Sequence, residues 1–133
     1  MDDIFVARLM TSDLVTVTPG TLVEDAGQTM LEHGISSLVV VDEDGHLEGI
    51  LTTTDFVTIV AESFPKAETT VSRYMTTDVI TVSPQESITT VAETMMEQEV
   101  HHLPVVDEAD TVVGIVTTTD LAGYLTTLSA SVA

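Results

Sequence analysis

Two threonine–aspartate pairs carry the side chains best suited to binding chemistry. Thr52 and Asp55 stand in Gly49-Ile50-Leu51-Thr52-Thr53-Thr54-Asp55, and Thr117 and Asp120 stand in Gly114-Ile115-Val116-Thr117-Thr118-Thr119-Asp120. Each heptad falls where a β-prone run gives way to a helical one. In open α/β sheets ligands lodge at such strand-to-helix edges, with helix amides turned toward them. A hydroxyl and a carboxylate three residues apart are also the parts of a capping box, worth about 0.5 to 2 kcal/mol per cap. Local sequence alone favours the cap, and recurrence of the whole heptad at one offset counts toward binding.

The remaining candidate chemistry is sparse. His101 and His102 are adjacent, and neighbours on an extended chain point to opposite faces, so the pair is poorly placed to chelate one ion and no metal site is expected. His33 and His46 lie in polar helix-end and turn contexts and read as surface residues. Cysteine is absent, which excludes a disulfide framework and a thiolate metal site. There is no nucleophile beside a base and no Walker-type loop, so the chain does not read as an enzyme.

Charge excludes a further class of partner. Acidic residues number 22 against three basic ones, Arg8, Lys66 and Arg73, for a formal net charge of −19. Phosphate-backbone binding needs clustered lysine and arginine, so nucleic acid is not an expected partner. Aromatic residues at 4%, with no tryptophan, also argue against a stacking platform for single strands. The acids are scattered over both halves and read as a solvated surface. Such a surface repels itself in dilute buffer, whereas about 1 M salt cuts the screening length to roughly 3 Å. The composition resembles that of halophilic microbes, archaea among them. With no basic-then-apolar leader and no apolar run of about 20 residues, the expected setting is soluble and cytoplasmic, away from membranes.

The elements that must position the two pairs occur twice. The offset that separates Gly49 from Gly114 also relates Arg8 to Arg73, Met10 to Met75, Asp13 to Asp78, Pro19 to Pro84, Met30 to Met95 and Asp42 to Asp107, without a gap. Solenoid repeats run roughly 20 to 50 residues, so this longer unit reads as a duplicated small domain, with halves 1–66 and 67–133. A half of about 60 residues is marginal alone, and the two are expected to fold as one module. Each half opens with a short helical lead-in, residues 2–10 and 70–75. A β-rich run closed by Pro19 or Pro84 follows, 14–18 and 79–83.

Apolar residues then recur at helical spacing over 22–33 and 88–96. Thr21 with Glu24 predicts a capping box for the first of these helices, Ser83 or Ser87 a cap for the second, and Gly34 a left-handed stop. Met30, Met95 and Met96 read as core filler. The runs 38–42 and 103–107 are apolar throughout, as in strands covered on both faces. Polar turns at 43–46 and 108–111 lead into return strands 47–51 and 112–116, which predicts antiparallel hairpins. Helices over 53–64 and 118–128 close the halves, the second fading into a loose tail, with Pro65 and residues 66–71 as the link. The order is β-α-β-β-α, twice, an α/β (α+β) fold whose first and second strands are parallel.

With Met10-Thr11 and Met75-Thr76, Val17 to Pro19 and Val82 to Pro84, His102-Leu103-Pro104-Val105-Val106-Asp107 and both heptads, the chain resembles a pair of CBS domains, named after cystathionine β-synthase, forming a Bateman module over residues 4–125. The resemblance implies two halves related by pseudo-twofold symmetry, ligand clefts between them, and pairing of modules into homodimers. It implies a regulatory role through adenosine-containing ligands such as AMP, ADP, ATP or S-adenosylmethionine, with no obligatory cofactor.

Carried onto this chain, Asp55 and Asp120 would accept ribose hydroxyls, in charged hydrogen bonds of about 1.5 to 3 kcal/mol each. Thr52 and Thr117 would bond ribose or phosphate. Backbone near Thr16, Val17, Thr81 and Val82, with walls from Leu38, Val39, Leu103 and Pro104, would hold adenine. Many relatives place arginine or lysine just before the motif aspartate, where this chain has Thr54 and Thr119, so a triphosphate would fall to helix amides, hydroxyls, His101 or a bridging cation. Ser36-Ser37 in the first copy against His101-His102 in the second makes the two sites unequal and favours the second. The alternative to a sensor is a ligand-free dimerisation or scaffolding module acting on an effector protein.

Overall fold

A computed structural model describes residues 4–62 and 68–132, with side chains to residue 127. Pro65 and Lys66 of the expected link lie outside the described residues, as do the last two positions of the helix expected over 53–64. The chain forms two compact units, a central one, Val15–Val79, and a split one made of the residues up to Leu14 and those from Ile80 onward. The exchange lies in the lead-ins. Helix α1 (Val6–Leu9) belongs with the second sequence copy, and the 3₁₀ turn Val71–Arg73 with the first. Val6 and Val71, both at 0% exposure, are the apolar anchors that seat these segments.

In the central unit β1 (Thr16–Val17) runs parallel to β2 (Ser37–Val41), which pairs antiparallel with β3 (Leu47–Thr52), in the order β1-β2-β3. The β2 run is buried on both faces at Leu38, Val39 and Val40, as its unbroken apolar sequence predicts. Helix α2 (Val23–His33) buries Val23, Ala26 and Met30 at helical spacing, and Gly34 closes it in the left-handed region at φ 61°. The expected Thr21–Glu24 box does not form. The helix starts at Val23 from Leu22 without a side-chain cap, because the Thr21 hydroxyl accepts the Thr18 amide at 3.2 Å in the preceding turn. Helix α3 (Thr53–Ala61) follows β3 directly. Ala26, Met30, Leu38, Val40, Leu51 and Val71 make the core.

The split unit repeats this with less sheet. Strands β4 (His102–Val106) and β5 (Val112–Thr117) form the antiparallel hairpin. The strand expected over 79–83 is reduced to one parallel bridge from Val82 to Val105, and its counterpart over 14–18 to two residues. Helix α4 (Ile88–Gln98) is capped by the Ser87 hydroxyl, which accepts the Thr90 amide at 3.2 Å, so of the two candidates Ser87 is the cap. Met95 is buried with Val91, but Met96 is 80% exposed, so only the first of that pair fills the core. Helix α5 (Thr118–Val132) carries through the stretch expected to be a loose tail. Val6, Val82, Val91, Met95, Leu103, Val105 and Val116 form the core. Full burial of a side chain such as Leu38 or Leu103 is worth about 1.5 to 3 kcal/mol. No helix among the described residues is long and apolar enough to cross a membrane.

Candidate functional site

Each threonine–aspartate pair sits at a strand-to-helix junction. Thr52 ends β3 and is the N-cap of α3, with Asp55 as its third residue. The Thr52 side chain accepts the Asp55 amide while the carboxylate returns to the Thr52 backbone, a complete capping box. Asp55 Oδ2 accepts the Thr52 amide at 2.8 Å and the Thr52 hydroxyl at 3.2 Å. In the split unit Asp120 Oδ2 accepts the Thr117 amide at 2.8 Å and hydroxyl at 3.2 Å, and the Asp120 amide donates to the Thr117 hydroxyl at 3.3 Å. Each box is tightened by one more amide, Thr53 donating to the Ser36 carbonyl and Thr118 to that of His101, both at 3.1 Å.

Several of the helix-start amides expected to face a ligand are thus already bonded within the chain. The bonds that each carboxylate accepts in its box all fall on Oδ2, and the second carboxylate oxygen of each junction, Oδ1, takes none of them. A carboxylate offers about four lone-pair sites, so capping and ligand binding are compatible uses of one residue.

The other expected residues fall into two groups. Thr16 pairs in register with Val39, Val39 with Ile50, and Ser37 with Thr52, which lines up Thr16, Val39 and the motif along one sheet. Thr16 is exposed and Val17 half-buried. In the split unit the Val82 amide donates to the Pro104 carbonyl at 3.1 Å, and His102 pairs with Thr117. Leu38 and Leu103 belong to the cores of their own units, whereas Val39 and Pro104 are equally buried but lie outside those clusters. Thr81 and Val82 also line a hollow of about 280 Å³ with Pro84, Glu86, Asp107 and Glu108.

His101 is exposed and His102 half-buried. Desolvation, with the neighbouring His101 as a second cause, holds the His102 imidazole below its usual pKa. His33 is exposed with Nδ1 3.0 Å from the Thr29 carbonyl.

Two features escaped the sequence reading. The turn after β2 brings ligand atoms of Asp42, Asp44 and His46 within 4.8 Å of one another. The Asp42 carboxylate there accepts the Asp44 and His46 amides at 2.9 Å each, and its second oxygen lies 3.3 Å from His46 Nδ1. These amides, that of His46 foremost, lower the Asp42 pKa. The second copy keeps the aspartate as Asp107, which binds the amides of Ala109 and Thr111, so the shared job is to close the turn. The other feature is an apolar hollow of about 390 Å³ in the central unit, lined by Gly27, Met30, Leu31, Gly34, Ile35, Thr53 and Phe56. Gly27, alanine in the second copy, was its one trace in the sequence.

Comparison with known proteins adds the family. The model of the CBS domain matches residues 6–62 and again 71–127. Homoserine O-acetyltransferase of Methanosalsum zhilinae is 39% identical over 116 residues, which are 87% of this chain and 23% of that protein. The chain thus spans about a quarter of that relative's length. The CBS domain-containing protein YhcV of Bacillus subtilis is 32% identical over 85% of this chain and 79% of its own. Among solved structures, the CBS domain pair of protein MJ0100 in complex with 5′-methylthioadenosine and S-adenosyl-L-methionine aligns with a TM-score of 0.86. It is 30% identical, over 93% of this chain and 97% of that one.

Proposed function

Because the chain belongs to the CBS domain family and carries two tandem CBS domains, we propose that it is a regulatory module that binds an adenosine-containing ligand and has no catalytic activity of its own. The observation that carries this reading is the pairing of two likenesses. A CBS pair matched over nearly its whole length was crystallised with two adenosyl compounds, and both junctions of this chain keep a threonine and an aspartate with one carboxylate oxygen outside the cap. That oxygen is suited to ribose hydroxyls, and two such charged hydrogen bonds account for about 3 to 6 kcal/mol before ordering costs.

Charge orders the candidate ligands. With three basic residues against 22 acidic ones, a triphosphate would meet repulsion, whereas the sulfonium of S-adenosylmethionine would meet attraction. S-Adenosylmethionine and 5′-methylthioadenosine therefore precede AMP, and AMP precedes ATP. Pairing into a homodimer and action on an effector protein complete the reading. Exposed Leu31, Val57 and Val60 in the central unit and Met96 and Leu125 in the split one support such contacts. A salt-rich cytoplasm fits the net charge.

The deciding experiment is calorimetric titration in molar KCl of S-adenosylmethionine, 5′-methylthioadenosine, AMP and ATP, the last with and without Mg²⁺. The titrated proteins are the wild type, Asp55→Ala and Asp120→Ala. Saturable binding weakened at least about tenfold in one variant is the expected result. Absence of heat and of any thermal shift with all four compounds would discard the reading in favour of a scaffold.

A further inference from the structure

One edge of β3 and one edge of β5 are closed by the same two partners in the same order. Amides two residues apart on a strand leave on the same side, roughly 6.8 Å from each other. In the central unit the Ile50 amide donates to the Thr76 carbonyl at 3.0 Å, and the Thr76 amide returns the bond at 2.9 Å. The next amide on that side, Thr52, donates to Asp55. In the split unit Ile115 donates to the Thr11 carbonyl at 3.0 Å, Thr11 returns it at 2.8 Å, and Thr117 donates to Asp120. A strap, residues 69–76 or 5–11, and the motif carboxylate are thus consecutive occupants of one strand edge.

The straps are held at their far ends as well. Thr69 accepts the Val23 amide at 3.0 Å, Val71 donates to Thr21 at 2.8 Å and Ser72 to Pro19 at 3.0 Å. Val6 donates to Glu86 at 2.9 Å and Ala7 to Pro84 at 3.0 Å. In the central unit the Tyr74 hydroxyl also donates to the Glu62 carboxylate just past α3. The strap therefore touches the helix beyond its end while adjoining the carboxylate that caps its start.

The glycine heading each heptad belongs to this arrangement. A Cβ on Gly49 would lie 2.7 Å from the Thr76 carbonyl oxygen and 3.0 Å from the Met75 sulfur; on Gly114 it would lie 2.6 Å from the Met10 sulfur and 3.0 Å from the Thr11 carbonyl oxygen. The glycines with positive φ among the described residues are Gly34 and Gly45, so close approach, and not a left-handed backbone, is what Gly49 and Gly114 supply.

We propose that strap and threonine–aspartate pair form one coupled element, in which displacing the strap loosens the pair, loosening the pair frees the strap, and a ligand on the pair tightens both. The ligand step rests on the binding function proposed above, while the coupling of strap to pair stands without it. Gly49 and Gly114 are positioning residues for the pair, and coupling between two sites is reciprocal.

Amide hydrogen exchange in molar KCl reads both directions. Gly49→Ala is expected to speed exchange at Ile50 and Thr76 and also, by about fivefold or more, at Thr52, whose partner it does not touch. Asp55→Ala is expected to speed exchange at Thr76 by a similar factor, and Gly20→Ala, with open space around it, to do neither. Met75→Ala, which withdraws the sulfur and leaves the backbone intact, is expected to act in the same direction more weakly and serves if Gly49→Ala does not fold. Faster exchange at Thr76 with Thr52 unchanged, or an Asp55→Ala protein with Thr76 at the wild-type rate, would overturn the coupling. Added S-adenosylmethionine is expected to slow exchange at Ile50 and Thr76. Binding without that slowing would overturn the ligand step, and no binding would count against the proposed function alone.

Discussion

Gly34 and Glu99 occupy the same turn of the two copies, one at φ 61° and the other at φ 55°. The first is free in the left-handed region, and the second bears a Cβ strain of about 1 to 2 kcal/mol there. The next turn repeats the contrast, with Gly45 at φ 84° and Asp110 at φ 62°. Together with a three-stranded sheet against a two-stranded one, this leaves the central unit relaxed and the split unit strained around an otherwise shared plan. The strained unit also carries His101 and His102 beside its motif, the copy favoured from sequence as the better site. Strained backbone positions cluster at ligand clamps and switch regions, where the surrounding structure holds them in place.

The cores set the scale of the comparison. Leu38 and Leu103 are both fully buried, and Leu38→Ala and Leu103→Ala are each expected to cost about 2 to 5 kcal/mol in denaturant unfolding. Equal costs would place the asymmetry in the turns, and a much smaller cost at Leu103 would extend it to the packing of the split unit.

The turns themselves come next. Gly34→Ala is expected to lose about 1 to 2 kcal/mol, and Glu99→Gly to gain about 1 kcal/mol. Asp110→Gly should gain less, since aspartate visits the left-handed region at lower cost than other residues with a Cβ. A Glu99→Gly protein no more stable than the wild type would remove the strain argument. The helix starts differ by a smaller amount. Ser87→Ala removes a formed cap and should cost about 1 kcal/mol, whereas Thr21→Ala should cost less, as its hydroxyl caps no helix.

Sequence periodicity was a good guide where one segment decides its own structure, as at the unbroken Leu38–Val40 run, the Ser87 cap and the Gly34 stop. It misled where a side chain had two suitors. Thr21 has a capping-box candidate in Glu24, yet its hydroxyl serves the amide of Thr18 in the preceding turn. Nothing in a repeat says which copy a lead-in docks against, and the exchange of α1 and the 71–73 turn became visible only in the bonds of Val6 and Val71. The glycine of each heptad is equally opaque from sequence, because the atom it makes room for belongs to a distant segment. The two readings of the threonine–aspartate pair stood as rivals in sequence. The cap is now in view, and a carboxylate with two oxygens leaves the binding reading standing beside it.

The smallest expected effect tests the residue pair that most separates the copies. His102 pairs across the hairpin with Thr117, where the central unit pairs Ser37 with Thr52. Its pKa is lowered from 6.5, first by desolvation and then by His101. The unfolded chain therefore binds the proton more readily than the folded one, so stability rises with pH across the interval between the two values. The contribution is complete above the unfolded value of 6.5 and is lost as pH falls from there through the folded-state value. Thermal melting of the wild type and His102→Ser in molar KCl, from pH 8 down to about pH 5, compares the two. The serine variant gives the split unit the side chain of the central one, and its melting temperature should fall less steeply below pH 6.5. Parallel curves would mean that His102 does not distinguish the units by titration, and the difference between their sites would then rest on shape and hydrogen bonding alone.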